Sequence, residues 1–182
     1  MMETPPMKKL IFLAISAFSL AVATQASEPA DAAVIAISTD EIRADPAVLE
    51  GQSVVSSGQP DAEILSLAKD AGYTTIIDLR TEGEDRGLDE VAAVEALGMS
   101  YISLPVAGAG GISFENATAL DALLSEIDGP VLLHCGSGNR VGALVALSAS
   151  MAGQSDEDAL AAGKQAGLTR LEPVVIERLN ED

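Results

Sequence analysis

Four short apolar runs in this chain alternate with segments whose apolar residues recur at helical spacing, and the alternation leaves few folds open. Ser53 to Ser57 reads as a strand, Gly58-Gln59-Pro60 as a turn, and Asp61 to Ala71 as a helix ended by Gly72. Tyr73 to Leu79 (YTTIIDL) is a β-branched strand, followed by a charged loop from Arg80 to Gly87. Asp89 to Leu97 places Val91, Val94 and Leu97 on one helical face and stops at Gly98. Met99 to Val106 is the third strand, and Ala107 to Gly111 a loose glycine loop. Ser113 opens a helix carrying Ala117, Leu120, Leu123, Leu124 and Ile127, which Gly129-Pro130 breaks. The fourth strand is Val131 to His134; a helix from Val141 to Met151 ends at Gly153, and Ser155 to Asp158 (SDED) is a capping sequence for one more short helix. Strands alternating with helices predict an α/β fold, a mostly parallel central sheet with helices on both faces.

The N-terminus has a different grammar. Met7, Lys8 and Lys9 form a basic stretch, Leu10 to Ala23 an apolar core, and Thr24-Gln25-Ala26 a small-residue cleavage site, with Ala23 a second candidate. Residues 1–26 therefore read as a signal peptide, too short in its apolar run for the ~20 residues of a membrane span. The expected protein is periplasmic or secreted, with no membrane span after cleavage. Residues 27–52 carry Pro29 and Pro46 without sustained periodicity and read as a partly ordered lead-in; one domain is expected over 53–182.

Loss of residues 1–26 removes Lys8, Lys9 and Glu3 from 10 basic and 28 acidic side chains, leaving 8 and 27, a net charge of −19. Such a surface repels polyanions, so nucleic acid is not an expected partner and an anionic substrate must be captured by local groups. Only Tyr73, Tyr101 and Phe114 remain as aromatics, too few for a base-stacking platform.

Chemistry concentrates in "VLLHCGSGNRVGAL", residues 131–144, which holds the chain's only cysteine and only histidine. With one cysteine no intramolecular disulfide forms, so Cys135 is a free thiol. Parallel sheets bind ligands at the carboxyl ends of their strands, and Cys135 stands at such a junction, where helix N–H groups attract anions and favour a thiolate. Gly136, Gly138 and Gly142 let the loop curl with its N–H groups inward, and Arg140 adds a planar fork suited to a tetrahedral oxyanion. No metal site is expected from one histidine and one adjacent cysteine, and no cofactor.

"IIDLR", "YISLPV" and "HCGSGNR", in this order, resemble the skeleton of the cysteine-dependent tyrosine and dual-specificity phosphatases, and more nearly their beta-lactamase-hydrolase-like branch, which also shares the "SGQP" turn at Ser57 to Pro60 and the acidic loop "TEGED" at Thr81 to Asp85. The resemblance covers about residues 53–170. It implies a tyrosine-phosphatase-like fold, Cys135 as nucleophile, Arg140 as oxyanion clamp, His134 as a residue supporting the thiolate, and Gly136, Ser137, Gly138 and Asn139 as substrate-binding loop residues.

Three features depart from the common phosphatase pattern. Four residues separate Cys135 from Arg140 instead of five, a ring size also used by rhodanese-type sulfurtransferases; Val141 stands where a hydroxyl usually assists release of the thiolate; and the loop from Ala107 to Gly111 lacks an aspartate general acid. Asp78, Glu82, Glu84, Asp85, Asp89 and Glu90 are candidates to replace that acid from the neighbouring loop, but each reads first as a solvated charge and none is assigned a catalytic role. Three functions fit: a phosphatase-like hydrolase acting on a small anionic or phosphorylated substrate, a sulfurtransferase taking a persulfide donor, and an inactive anion-binding module.

Overall fold

The computed structural model describes Met1 and residues 33–181. The segment read as a signal peptide lies, Met1 aside, outside them.

Five parallel strands form the central sheet: β1 (Ile35–Ala36), β2 (Val54–Ser57), β3 (Thr75–Asp78), β4 (Ser100–Ser103) and β5 (Val131–His134), in the order β1-β2-β5-β3-β4. Seven α-helices accompany them among the described residues: α1 (Thr39–Ala44), α2 (Ala62–Asp70), α3 (Glu90–Ala96), α4 (Phe114–Glu126), α5 (Asn139–Met151), α6 (Asp156–Gln165) and α7 (Glu172–Leu179). The last strand in sequence occupies the centre, with Ser57 of β2 and Asp78 of β3 both in register with His134.

Side-chain alternation along the strands feeds two cores. Val54, Ile77, Val131 and Leu133 pack with α4, α5 and α7 on one face. Val55, Ile76 and Leu132 pack with α1, α2 and α3 on the other. Strands β2, β3 and β5 are buried throughout, as apolar runs in a doubly covered sheet should be, whereas β4 is an edge strand with exposed ends.

The helix starts follow their capping residues. Asp61, Asp89, Ser113 and Ser155 each accept a backbone N–H of the first turn of α2, α3, α4 and α6. Two stretches differ from the sequence reading. The lead-in contributes β1, α1 and a 3-10 turn at Pro46–Leu49, with Ile42 and Leu49 fully buried; its elements are too short to show periodicity, but Ser38 and Glu41 form a capping box at α1. The glycine loop is also not loose. Gly108–Gly111 winds into a 3-10 turn that buries Ile112, whose carbonyl accepts from Arg178 Nε of α7 at 3.1 Å.

Gly142 has a different role from the one its place near Cys135 suggests. It lies inside α5, against α6 and the chain that follows α6. A Cβ there would overlap the backbone nitrogen of Leu168 and come 2.6 Å from the Gly163 carbonyl oxygen. The facing Gly163 is equally crowded, its own Cβ position 2.7 Å from that of Ala146. Glycine is required here for helix packing, not for curling the loop.

Candidate active site

The centre of the sheet delivers Cys135. Strand β5 ends at His134, and the chain turns through Gly136, Ser137 and Gly138 into α5. Gly138 adopts φ +76°, a left-handed conformation that strains other residues, and so makes the turn. The loop is braced from below by the Ser57–Pro60 turn, where Gly58 forms an antiparallel bridge with Ser137.

Cys135 is 1 % exposed, packed with the first core at the floor of a pocket of about 550 Å³. Gly136, Ser137, Asn139 and Arg140 of the loop line that pocket; Gly138 is buried beneath. Helices α1 to α4 and α6 have side-chain caps, but α5 and α7 have none; α5 begins at the pocket residue Asn139, and α7 just after the pocket residue Leu171. The first-turn N–H groups of α5 have no side-chain cap among the described residues, and the helix's partial positive charge lies behind them.

Arg140 is held in one orientation. Its Nη1 donates to Glu84 Oε1 at 2.7 Å, to the Val106 carbonyl at 2.9 Å and to the Leu79 carbonyl at 3.3 Å, while Nη2 donates to Glu84 Oε2 at 2.7 Å. Those contacts occupy one edge of the guanidinium. Nε–H and the second Nη2 hydrogen remain, and the guanidinium's interaction with the Cys135 sulfur adds to that with Glu84 in raising its hold on its proton. Glu84 comes from the acidic loop, on which Thr81 N also donates to Oε1 at 2.9 Å.

The same pair settles what Glu84 does. Arg140 holds the Glu84 carboxyl down from 4.5 to about 2. A depressed carboxylate is ionised above its unfolded value and loses its pairing only as pH falls through about 2, so at neutral pH Glu84 has no proton to give. The pocket's other lining segments, at Gly108 and at Arg170 and Leu171, bring no carboxylate.

Behind the loop, on the opposite face of the sheet from Cys135, lies a buried polar cluster. Asp78 Oδ2 accepts from Arg86 Nε at 2.6 Å and from the Tyr101 hydroxyl at 2.7 Å, and Asp78 Oδ1 accepts from the Arg80 backbone N–H at 2.7 Å. Glu90 Oε2 accepts from Gln59 Nε2 at 3.0 Å, and Gln59 Oε1 in turn accepts from Arg80 Nη1 at 2.6 Å. His134 Nε2 stands 2.9 Å from Glu90 Oε1, off the line of a hydrogen bond, and 3.8 Å from Asp78 Oδ1. The contact attracts when the imidazole carries a proton. Asp78, Glu90 and His134 also place three donor atoms within 4.8 Å of one another, a grouping the count of soft ligands in the sequence did not reveal. Arg86, 2.6 Å from Asp78 and 3.7 Å from Glu90, supplies positive charge to these carboxylates.

The fold therefore gathers Cys135, Gly136, Ser137, Asn139 and Arg140 around one pocket and sends the His134 side chain to another face, where its support of the thiolate has no direct contact to act through. Asn139 lines the pocket, but its Oδ1 accepts from Thr169 N at 2.8 Å and Leu171 N at 3.3 Å, tying the 169–171 turn to the loop. Reading the acidic residues as solvated charges fails for Asp78 and Glu90, which are buried, and for Glu84, which is paired to Arg140; Glu82, Asp85 and Asp89 are exposed. Arg170, at the pocket, carried no sequence signal beyond its charge.

The sequence profile of the family described as beta-lactamase hydrolase-like protein, phosphatase-like domain, matches residues 47–152. The chain belongs to this family. A beta-lactamase hydrolase-like protein of Xylella fastidiosa is 37 % identical over 107 residues, which are 56 % of this chain and 24 % of the relative. The chain thus matches about a quarter of that relative's length. Among solved structures, a candidate phosphatase from Neisseria meningitidis superimposes with a TM-score of 0.62 at 21 % identity, over 74 % of this chain and 96 % of that one. The kinase associated phosphatase, studied with its catalytic cysteine replaced by serine, aligns with a TM-score of 0.55 at 16 % identity, over 75 % and 91 % of the two chains. The beta-lactamase-hydrolase-like phosphatase domain therefore has the α/β fold of the cysteine-based, tyrosine-phosphatase-like enzymes, as the sequence motifs implied.

Proposed function

We propose that this protein is a cysteine-dependent phosphatase-like hydrolase acting on a small anionic substrate. The observation that carries the reading is the placing of Cys135 on the floor of a pocket, in interaction with a guanidinium that Glu84, Leu79 and Val106 fix in place. In the proposed reaction the Cys135 thiolate attacks phosphorus, the phosphorus–oxygen bond breaks, and the leaving group departs with the electron pair. Loop N–H groups and Arg140 hold the remaining oxygens as charge develops on them. Water then attacks phosphorus and the sulfur–phosphorus bond breaks, which returns the thiolate. Without a positioned acid, the enzyme favours leaving groups stable as anions, such as nitrophenolate.

Among the described residues the pocket's lining carboxylate is Glu84, which Arg140 keeps ionised, and this favours a second reading, sulfur transfer. There Cys135 attacks the outer sulfur of thiosulfate, the sulfur–sulfur bond breaks, sulfite leaves with the electron pair, and a second thiolate removes the sulfur from the persulfide. No step needs an acid. Para-nitrophenyl phosphate hydrolysis measured beside cyanide-trapped sulfur transfer from thiosulfate separates the two, with Cys135→Ser as the blank. The hydrolase reading expects ester turnover that Cys135→Ser lacks; sulfur transfer alone would replace it with the second reading, and binding without either activity would leave an anion-binding module.

The basic, apolar and small-residue pattern over residues 7–26 supports placing this chemistry in the periplasm or outside the cell.

A further inference from the structure

Six arginines lie among the described residues, and five have a carboxylate within 4.0 Å. Arg43 has Asp61 at 2.6 Å, Arg80 has Glu84 at 3.3 Å, Arg86 has Asp78 at 2.6 Å, Arg140 has Glu84 at 2.7 Å, and Arg178 has Glu181 at 3.1 Å. Arg170 has none. In a chain of net charge −18 a guanidinium kept clear of carboxylates is the exception, and this one lines the same pocket as Cys135. Its near neighbour in sequence, Glu172, is turned to Lys164 at 2.6 Å.

The backbone on either side of Arg170 is fixed to the reactive loop. Asn139 Oδ1 accepts from Thr169 N at 2.8 Å and from Leu171 N at 3.3 Å, and Asn139 directly precedes Arg140. Gly167, at φ +103°, brings this turn so close to the loop that a Cβ would lie 3.2 Å from the Gly138 carbonyl oxygen. The base of the Arg170 side chain is therefore set relative to Cys135, while its guanidinium stays in solvent. Of the charged side chains lining the pocket, Glu84 and Arg140 satisfy one another, which leaves Arg170 as the uncompensated charge.

We propose that Arg170 is a second anion subsite, and that the preferred substrates carry two anionic groups: a reacting oxyanion over Cys135 and Arg140, and a carboxylate, phosphate or sulfonate at the pocket mouth. The proposal rests on the oxyanion reading of the Cys135 pocket. It adds a selection rule, since compounds with a neutral tail leave Arg170 without a partner.

Binding tests this without turnover. The Cys135→Ser protein is titrated calorimetrically with phenyl phosphate and with 3- and 4-carboxyphenyl phosphate at low ionic strength, with and without Arg170→Gln. At least one carboxylated ligand is expected to bind about fivefold more tightly than phenyl phosphate, the upper range for an ion pair in solvent. Added salt should erode the preference, Arg170→Gln should abolish it with phenyl phosphate affinity unchanged, and Arg170→Lys should restore most of it. Phenyl phosphate binding with no carboxylate preference, or a preference that survives Arg170→Gln, overturns the subsite and leaves the oxyanion reading standing. If none of the three ligands binds, both fall together.

Discussion

Replacing Arg140 with lysine is expected to lower phosphate-ester turnover about 100-fold or more, by comparison with the ~2.7–4 kcal/mol lost when a single oxyanion donor is removed. The side chain has two duties, and lysine fails at both. On the Glu84 side, four acceptor contacts are met by Nη1 and Nη2, a planar pattern that an ammonium with three donors cannot reproduce. On the Cys135 side, Nε–H and Nη2–H form the parallel pair that matches two oxygens of a tetrahedral anion, where lysine offers a point charge. The Leu79 and Val106 carbonyls keep the backbone N–H groups of Val106 and Gly108 at 3.0 and 3.1 Å, whereas the Glu84 carboxylate loses its two-point partner. A thermal melt of the variant therefore accompanies the kinetics, so that turnover is compared between folded samples. Sulfur removal from a preformed Cys135 persulfide by a small thiol has no phosphoryl group to clamp, and its rate should change far less. Wild-type ester turnover in the lysine variant, with none in Cys135→Ser, would remove guanidinium geometry from the chemistry.

Gly142→Ala is expected to lower stability by at least about 3 kcal/mol, because the added methyl meets backbone atoms that cannot rotate away. For a domain of this size the midpoint of thermal unfolding should fall by about 6–12 °C. Leu168 N donates to the Gly163 carbonyl at 2.8 Å, and the Cβ would intrude on both atoms of that bond, so α6 must move as a unit. The turn carrying Arg170 follows α6 directly, and the loss should therefore extend to ligand binding. The matched control is Gly153→Ala, at φ +87° with nothing within 4 Å of its Cβ, whose cost is backbone strain alone. Equal melting temperatures for the Gly142→Ala and unmodified proteins would show that α5 and α6 are not packed as described.

Much of this architecture is legible in the residues. The runs VVSS, TIID and VLLH are buried on both faces, and their continuity is the local mark of a covered parallel sheet. Asp61, Asp89, Ser113 and Ser155 marked helix starts because capping is local chemistry. Strand order is less visible: β5 enters the centre of the sheet between β2 and β3, and only tertiary packing sets that insertion. The site divides in the same way. Cys135 and Arg140 sit five positions apart on one loop and can be recognised together. Glu84 is 56 residues from Arg140, in a run of exposed acids that it resembles in sequence, and only the fold singles it out as the carboxylate that fixes the guanidinium. Asp78 and Glu90 read as surface acids for a related reason: strand alternation turns His134 away from Cys135 and towards them, and only the fold shows it. Arg170 is distinguished by its lack of a partner, a property of arrangement that no local pattern encodes.

The central claim is that Cys135 carries the transferred group, and the mass of the intact protein tests it most directly. In the phosphatases that the sequence resembles, a hydroxyl at the position of Val141 helps expel the thiolate, so a phosphocysteine is expected to accumulate here during turnover of para-nitrophenyl phosphate. Protein denatured rapidly after mixing should be heavier by one phosphoryl group, with the addition mapped to Cys135 by fragmentation and missing from Cys135→Ser. An added sulfur atom after thiosulfate would keep Cys135 as the carrier and assign it to sulfur transfer. Ester turnover with Cys135 unmodified and with equal rates in Cys135→Ser would contradict the account.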